Sequence, residues 1–378
     1  MNDYNQPAIE LHKKYKGKIT TSLRDKNPMD KKMLSLYYTP GVAAVSQEIA
    51  NDPSLLATYT WTNNLVAVIS DGSAVLGLGN IGPRASMPVM EGKSLLFKHF
   101  ADIDSIPITL DVHSTDDIVA TIKAIAPSFG AINLEDIAAP ICFEVEERLK
   151  NELNIPVFHD DQHGTAIVVL AGLINAMKLV GKKLEDCKIV IIGAGAAGTA
   201  ITKLIYKYAK ANIIAVDSKG IISVSRSDLN REKLSLLNYI NNNENGTLTD
   251  ALENADIFIG VSKPNLLTKE MIASMAEKPI VFALANPNPE IMPDEARLAG
   301  VAVIATGRSD FANQINNAIA FPGIFRGALD NKINKITDDH KIASAIAIAN
   351  LVEDLNADNI IPSVFDPRLV PTIASVIK

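Results

Sequence analysis

Cysteine is nearly absent from this chain, with only Cys142 and Cys187 among 378 residues. Two cysteines cannot build the disulfide framework of a small secreted domain, and such low usage is typical of a reducing compartment. The polar start, Met-Asn-Asp-Tyr-Asn-Gln-Pro, lacks the apolar segment of a secretory signal. We therefore expect a cytoplasmic protein.

Neither a membrane-length apolar run nor an excess of positive charge is present. The longest apolar stretch, residues 165–177, is shorter than the ~20 residues that cross a bilayer, so we expect it to form a buried helix. The formal net charge is −7 and no basic stripe occurs, which argues against nucleic acid or an anionic membrane as the main partner. The composition, 47% hydrophobic, is that of a globular protein with a substantial core.

The most informative segment is residues 188–198, where a β-branched run leads into three glycines spaced as G-x-G-x-x-G. At a strand-to-helix turn the first glycine makes the turn, the second lets a pyrophosphate approach, and the third lets helix and strand pack closely. Asp217 ends the next predicted strand, 19 residues after the third glycine, at the spacing of a ribose ligand. An ordinary turn without a ligand is the alternative, and we favour a dinucleotide site. Its predicted contacts are Gly193, Gly195, Ala196, Ala197, Gly198 and Asp217.

Continuous β-branched strands alternate with helical patterns in the second half of the chain. This pattern predicts a parallel, doubly wound sheet covered on both faces, with ligands at the carboxyl ends of its strands. The predicted strands are 187–193, 212–218, 256–262, 279–286 and 301–306.

The first half is also α/β but less regular, and the chain becomes helical again between Asn317 and residue 355. The predicted strands are 65–70, 106–112, 131–136 and 155–159, and the predicted helices are 86–100, 140–151 and 164–180. We therefore predict an α/β fold in which a substrate- and metal-binding domain (1–160) precedes a Rossmann-type domain (161–320). We expect the C-terminal helical segment (321–378) to pack back towards the first domain.

Two acidic pairs follow predicted strands in the first half, Glu135-Asp136 and Asp160-Asp161. Each pair alone is best explained as a cap of the helix that follows it. If both strands share a sheet, the acids converge at its carboxyl edge, where like charges need a cation. Hard oxygen ligands favour Mg²⁺ or Mn²⁺ over zinc. For both pairs together, beside a dinucleotide domain, we favour a metal site.

Three other features are weaker. Residues 77–82 also match G-x-G-x-x-G, but Pro83 follows and no strand leads into them, so we expect a glycine-lined loop near the substrate or nicotinamide. By itself, Tyr38 would be a core aromatic residue and Lys93 a solvated helix residue.

Taken together, these motifs resemble the malic enzyme family, in particular its short bacterial form. They run in family order from residue 38 to about residue 330 and cover most of the chain. The segments that carry the resemblance are 38–43 (Tyr-Thr-Pro-Gly-Val-Ala), 71–82, 88–93 (Pro-Val-Met-Glu-Gly-Lys), 133–137 (Asn-Leu-Glu-Asp-Ile), 158–165 (Phe-His-Asp-Asp-Gln-His-Gly-Thr), 188–198, 285–287 (Ala-Asn-Pro) and 313–322.

The resemblance implies oxidative decarboxylation of L-malate to pyruvate and CO₂ with reduction of NAD(P), in a homodimer that requires Mg²⁺ or Mn²⁺. It implies Tyr38 as general acid and Lys93 as general base, the latter with a pKa lowered by the nearby cation and by burial. The implied metal ligands are Glu135, Asp136 and Asp161, and the implied polar contacts to malate or the nicotinamide are Asn286 and Asn317.

Cofactor choice, one missing arginine and the exact reaction stay open at this point. Asp217 favours NAD by repelling the 2′-phosphate of NADP, although Lys219 could compensate. Larger members of the family carry an arginine where this chain has Ser73-Ala74, so Arg84, Arg308 or a residue of a second subunit must hold the substrate carboxylate. The alternatives to malate oxidation are the malolactic reaction, which ends in lactate, and a dinucleotide sensor without catalysis.

Overall fold

The computed structural model describes residues 4–75 and 77–378. Met1 to Asp3, from the polar start, and Leu76, from the 71–82 motif, lie outside the described residues. The strands are β1 (Leu65–Ser70), β2 (Asp104–Thr109), β3 (Ala131–Leu134), β4 (Val157–His159), β5 (Lys188–Ile192), β6 (Asn212–Asp217), β7 (Gly220–Ile221), β8 (Ile257–Gly260), β9 (Ile280–Ala283) and β10 (Val303–Thr306).

Helices separate most of these strands. They are α1 (Asn5–Tyr15), α2 (Lys31–Tyr37), α3 (Val42–Asn51), α4 (Leu56–Tyr59), α5 (Gly82–Ala101), α6 (Thr115–Ile125), α7 (Ile141–Glu152), α8 (Asp160–Val180), α9 (Ala196–Ala209), α10 (Arg231–Leu236), α11 (Leu248–Leu252), α12 (Lys269–Ala273), α13 (Pro293–Leu298), α14 (Phe321–Asp330), α15 (Asp338–Ala349) and α16 (Leu369–Val376).

The strands form two sheets, in the orders β2-β1-β3-β4 and β10-β9-β8-β5-β6-β7. All neighbours are parallel except β7, a two-residue edge strand antiparallel to β6. In each sheet the strand order reverses beside the first strand, between β1 and β3 and between β5 and β8. Such switch points open a crevice at the carboxyl ends of the strands, where ligands bind in doubly wound folds. The predicted α/β fold with a Rossmann-type second half is confirmed.

Helix α8 joins the two sheets and lies in the main hydrophobic core. That core contains Val66 and Val68 of β1, Ile189 and Ile191 of β5, and most of α8. The helix is long and apolar enough to cross a membrane, but 72% of its most apolar window is buried inside the protein. It is therefore a core helix, as predicted, although it begins at Asp160, four residues before the predicted start.

The C-terminal helices pack back on the first domain, as predicted. The Phe97 ring of α5 makes edge contacts with Phe321 and Phe325 of α14, at centroid distances of 4.7 and 5.1 Å. Residues 350–355 are not helical, contrary to our expectation, because α15 ends at Ala349 and the chain turns there. The domain boundaries at 160 and 320 stay a prediction.

The N-terminal segment was not predicted to be helical. Helices α1 to α4 bury no residue, so the core of this subunit does not stabilise them. Their apolar side chains remain exposed, among them Leu34, Leu36 and Tyr37.

Candidate active site

Three carboxylates meet where β3 and β4 end. Glu135 and Asp136 follow β3 directly, and Asp161 lies in the first turn of α8, which follows the neighbouring parallel strand β4. One carboxylate oxygen from each residue lies within 4.8 Å of the others. The Asp136 N–H also donates to Asp161 Oδ2 at 2.8 Å. We call these three residues the carboxylate cluster.

The capping alternative fails for both acidic pairs. Helix α7 has Pro140 at its N-cap and α8 has His159, and neither helix has a side-chain cap. Glu135 and Asp136 are both buried, and the Glu135 carboxylate is held by Asn133 Nδ2 at 2.9 Å. Buried carboxylates that cap no helix are expensive unless a positive charge compensates them.

Lys93 of α5 supplies part of that charge. Its ammonium lies 2.8 Å from Glu135 Oε1 and 2.7 Å from Asp160 Oδ2, and the Lys93 side chain is only 8% exposed. Lys93 Nζ also lies 4.5 Å from the Phe321 ring centroid and 3.5 Å from Asn317 Oδ1. Neither Lys93 nor Asn317 is a surface residue here, since the fold brings both to the carboxylates.

The pKa of Lys93 differs from our expectation. Burial would lower the pKa of Lys93, but the carboxylates of Asp160 and Glu135 outweigh burial and raise it above the usual value of a lysine. The expected lowering assumed a dication among the carboxylates, and without that charge the acids dominate. The opposite effect falls on the acids, because burial raises the pKa of Asp160 to about 6 despite Lys93 and also raises that of Asp161.

Sequence analysis missed the role of Asp160. It was noted only as one of a pair, yet its side chain is fully buried against Lys93, whereas the Asp161 side chain is 31% exposed and belongs to the cluster. Adjacent residues of a helix point about 100° apart, so Asp160 and Asp161 face different partners. The sequence alone could not separate the roles of Asp160 and Asp161, because that requires knowing that α8 begins at Asp160.

A divalent cation fits the carboxylate cluster on the chemistry of its donors. Three carboxylate oxygens are hard ligands suited to Mg²⁺ or Mn²⁺. Burial raises the pKa of Glu135, Asp160 and Asp161, and the attraction of Lys93 does not fully offset that effect. A buried amide oxygen, Asn133 Oδ1, also lacks a hydrogen-bond partner beside the cluster.

The glycine fingerprint has the geometry that a dinucleotide needs. Gly193 has φ of 110°, and a Cβ there would lie 2.6 Å from Val261 O. A Cβ at Gly198 would lie 1.7 Å from Gly193 O, so only glycine allows this helix-to-strand packing. A Cβ at Gly195 would meet no atom within 4 Å, which leaves this backbone open to a ligand at the N-terminus of α9.

The loop that follows β9 in the second sheet contacts the glycine loop of residues 77–82. A Cβ at Gly77 would lie 2.3 Å from Asn286 O, so this loop packs against the segment that carries Asn286. The structure thereby places the second glycine run beside a predicted nicotinamide or substrate contact. Asn286 follows β9, and a Cβ at Gly307 would touch its side-chain amide.

Asp217 ends β6 as predicted, but its carboxylate is already surrounded by donors. Arg226 binds it through two nitrogens at 2.8 and 3.1 Å, Lys233 Nζ at 2.5 Å and the Lys219 N–H at 2.8 Å. The Lys219 ammonium binds Asp228 instead, at 2.8 Å. The cations beside Asp217 are therefore Arg226 and Lys233, which sequence reasoning missed because they lie 9 and 16 residues further on.

The remaining predicted residues are not brought to the cluster. Tyr38, at the end of α2, is 66% exposed, and its hydroxyl makes no hydrogen bond with a described residue. Arg308 is held by Asp310 at 2.7 Å. Arg84, in the first turn of α5, is exposed and forms no ion pair with any described residue.

Comparisons with known proteins agree with this geometry. The malic enzyme N-terminal domain model matches residues 16–150, and the malic enzyme NAD-binding domain model matches residues 162–374. A bifunctional malic/malolactic enzyme of Bacillus subtilis is 53% identical over 98% of this chain and 92% of its own length. An NADP-dependent malic enzyme of Halomonas elongata is 47% identical over 98% of this chain and 92% of its own length.

A solved structure shares the whole fold. The NAD-dependent malic enzyme of Thermotoga maritima is 49% identical, with a TM-score of 0.95 over 98% of both chains. Sequence and fold lead to the same conclusion: this chain belongs to the malic enzyme family.

Proposed function

We propose that this chain catalyses the metal-dependent oxidative decarboxylation of L-malate to pyruvate and CO₂ with reduction of NAD(P)⁺. The observation that carries the proposal is the position of Lys93. Its ammonium lies between the carboxylate of Asp160 and that of Glu135, which belongs to the carboxylate cluster. Asn317 accepts a bond from the same ammonium and belongs to the segment after the second sheet. A proton-transfer group, hard metal ligands and the dinucleotide domain therefore meet at one place.

The residues of this chain divide the work. A cation on the cluster would polarise the hydroxyl and later the carbonyl of the substrate, and the nicotinamide would accept the hydride. Lys93 would take the hydroxyl proton, and its salt bridges to Asp160 and Glu135 fix Nζ in position for that transfer. A dication at the cluster would offset the carboxylates that now raise the pKa of Lys93.

We further propose that Tyr38 protonates the enolpyruvate carbon from across a homodimer interface. Tyr38 lies between α2 and α3, and its neighbours Leu34, Leu36 and Tyr37 are all at least half exposed. Exposed apolar side chains clustered on one segment are typical of protein interfaces. Burial of this segment against a second copy of the chain would place the hydroxyl of Tyr38 in the partner's cleft.

Arg84 is our candidate for the cation that holds a carboxylate of malate. It lies in the first turn of α5 and is separated from the glycine loop only by Pro83. Arg308, the other candidate in this chain, is held by Asp310. Arg84→Gln should therefore raise the KM for malate more than it lowers kcat, whereas Arg308→Gln should change neither strongly.

We propose NAD as the preferred cofactor, with NADP also used. Asp217 alone would repel a 2′-phosphate, but Arg226 and Lys233 neutralise it, and both cations could bind the phosphate. For NAD, the ribose hydroxyls would replace one of the donors around Asp217. The relatives support use of either cofactor, since NAD-dependent and NADP-dependent malic enzymes both occur among them.

One assay separates the candidate reactions. L-malate is added with NAD⁺ or NADP⁺ in Mn²⁺ or in EDTA, and both the reduced cofactor and the organic product are measured. We expect pyruvate and reduced cofactor in equal amounts and only with the metal. Lactate without net reduction would instead establish the malolactic reaction, for which the name of the Bacillus subtilis relative gives a reason. A bound cofactor with no turnover of malate would establish the sensor alternative.

We also propose a cytoplasmic location for the enzyme.

A further inference from the structure

Apart from the candidate active site, the protein has a cavity beside the first turns of α8 and α9. Its volume is about 450 Å³, within the ~300–1,000 Å³ range of small-molecule sites, and α7, α8, α9, α10 and α15 line it. These helices come from both halves of the chain. None of the residues assigned above to metal, substrate or cofactor lines this cavity.

The buried part of the cavity presents a hydrogen-bond donor without an acceptor. Gln162 lines the cavity, is 4% exposed, and its Nε2 is buried without a partner. Lys341 lines it too and is 5% exposed, with Asp338 at 2.9 Å. Burial and Lys150 lower the pKa of Lys341, and the carboxylates of Glu146 and Asp338 only partly offset this effect. A ligand here must bring acceptors.

The charge of the lining also favours an anion. Four carboxylates line the cavity, but five cations do: Lys150, Lys203, Lys207, Arg231 and Lys341. The buried carboxylate of Glu146 already has Lys150 at 2.6 Å and His163 at 2.8 Å. Lys203 and Arg231 form no ion pair with any described residue, and the same holds for the carboxylates of Glu147 and Glu232, so the excess of positive charge comes from Lys150, Lys207 and Lys341, which share Glu146 and Asp338. The cavity is larger than an inorganic anion needs. Phe143, Leu204 and Tyr239 give it an apolar surface that the carbon skeleton of an organic anion could contact.

From these observations we propose that the cavity binds a small organic anion, carrying phosphate or carboxylate groups, that regulates the enzyme. Gln162 follows Asp161 of the carboxylate cluster, and Thr199, which also lines the cavity, follows Gly198 of the dinucleotide loop. Arg231 lies on α10, the same short helix as Lys233, which binds Asp217. An anion in the cavity would therefore contact the helices that position both the metal ligands and the cofactor. The regulatory effect rests on the proposed function, whereas the binding does not.

Binding calorimetry tests the site without relying on turnover. The enzyme is saturated with Mn²⁺, NADPH and oxalate, so that the catalytic cleft and the cations beside Asp217 are occupied. Fructose 1,6-bisphosphate serves as the phosphate probe and succinate as the carboxylate probe, at constant ionic strength. We expect one of them to bind, and the arm that binds identifies the anionic group.

Matched variants locate the binding. Lys203→Gln/Arg231→Gln removes two cations of the cavity and should weaken binding at least roughly tenfold. Lys269→Gln/Lys335→Gln removes two exposed cations outside it and should leave binding unchanged. In the malate assay, the bound probe should change the KM for NAD⁺ or malate of the wild type but not of the cavity variant. If neither probe binds, or if both double variants bind alike, the proposal is overturned. Water would then be the hydrogen-bond acceptor for Gln162 Nε2.

Discussion

Asp161→Asn should stabilise the metal-free protein while removing its response to Mn²⁺. The substitution keeps an acceptor for the Asp136 N–H, whose bond to Asp161 Oδ2 is 2.8 Å long, and removes one negative charge. Two unit charges 4.8 Å apart, the limit within which the cluster oxygens lie, repel by about 3 kcal/mol at an effective dielectric near 20. Lys93 attracts Asp161 and offsets this repulsion, but burial still raises the pKa of Asp161 to about 6, so its ionised carboxylate destabilises the metal-free protein. We therefore expect the free energy of unfolding in EDTA to rise by about 1–2 kcal/mol.

The response to metal should change in the opposite direction. At a Mn²⁺ concentration of about 100 times its Kd, binding to the folded state stabilises the wild type by about 2.7 kcal/mol. The loss of one of three ligands should remove most of that gain, and malate turnover should fall by several orders of magnitude. Binding of NADH should be nearly unchanged, because Gly193 to Gly198 lie on the other sheet. Glu135→Gln should behave similarly in turnover.

Thermal unfolding in EDTA and in Mn²⁺ measures both effects. Glu185→Gln is the matched control, because Glu185 is an exposed carboxylate before β5 that forms no ion pair with a described residue. This control should shift neither curve. Equal stabilisation of wild type and Asp161→Asn by Mn²⁺ would refute the metal assignment, as would full activity of the wild type in EDTA. A less stable variant in EDTA would refute the repulsion argument.

Three further predictions concern the sharing of Tyr38 and Lys93 between subunits, the choice between NAD and NADP, and the titration of Asp160. Tyr38→Phe and Lys93→Ala homodimers should each be nearly inactive, but unfolding and refolding them together should restore about a quarter of wild-type activity if each site combines residues of two subunits. No recovery, or a fully active monomer, would contradict this sharing. Lys233→Met should lower kcat/KM for NADP⁺ at least roughly tenfold and change that for NAD⁺ little, whereas Asp217→Ser should shift the ratio towards NADP⁺; unchanged ratios would show that neither residue sets the choice. In EDTA, stability should rise as the pH falls through about 6, because the pKa of Asp160 is raised to about 6 from an unfolded value of about 3.9 and the folded state binds the proton first. A pH profile unaltered by Asp160→Asn would contradict that assignment.

The sheets were predictable because their strands are continuous and buried. Strand β1 was predicted with its observed bounds, Leu65–Ser70, β2 was predicted two to three residues too late along the chain, and β7 was not predicted. The other strands were predicted one to three residues too long at one or both ends. Some of the extra residues lie before the strand begins, and those after its end enter the loops at the carboxyl edge of the sheet, as in the segment after β9 that carries Asn286. Apolar character continues past the last ladder hydrogen bond, so a hydrophobic pattern alone does not locate the end of a strand.

The N-terminal helices show the opposite case. The helix α2 begins with Asp30, whose side chain accepts from the Met33 N–H, so a local capping pattern was available. Its apolar residues Leu34 and Leu36 are exposed in the single chain, however, and their positions reflect no core of this subunit. If these residues face a second copy of the chain, contacts between subunits rather than the core of one subunit stabilise this helix.

The chemistry of the site follows from where α8 begins. Because β4 passes directly into the helix, Asp160 and Asp161 occupy its first turn, one facing Lys93 and the other the carboxylate cluster. One strand-to-helix junction thus holds both the proposed base and a proposed metal ligand. A shift of the helix start by one residue would turn both side chains by about 100°, so that neither would keep its present partner. The two acids are therefore not interchangeable: Asp160→Asn should impair the positioning of Lys93 while the Mn²⁺-dependent stabilisation persists, and Asp161→Asn should do the reverse.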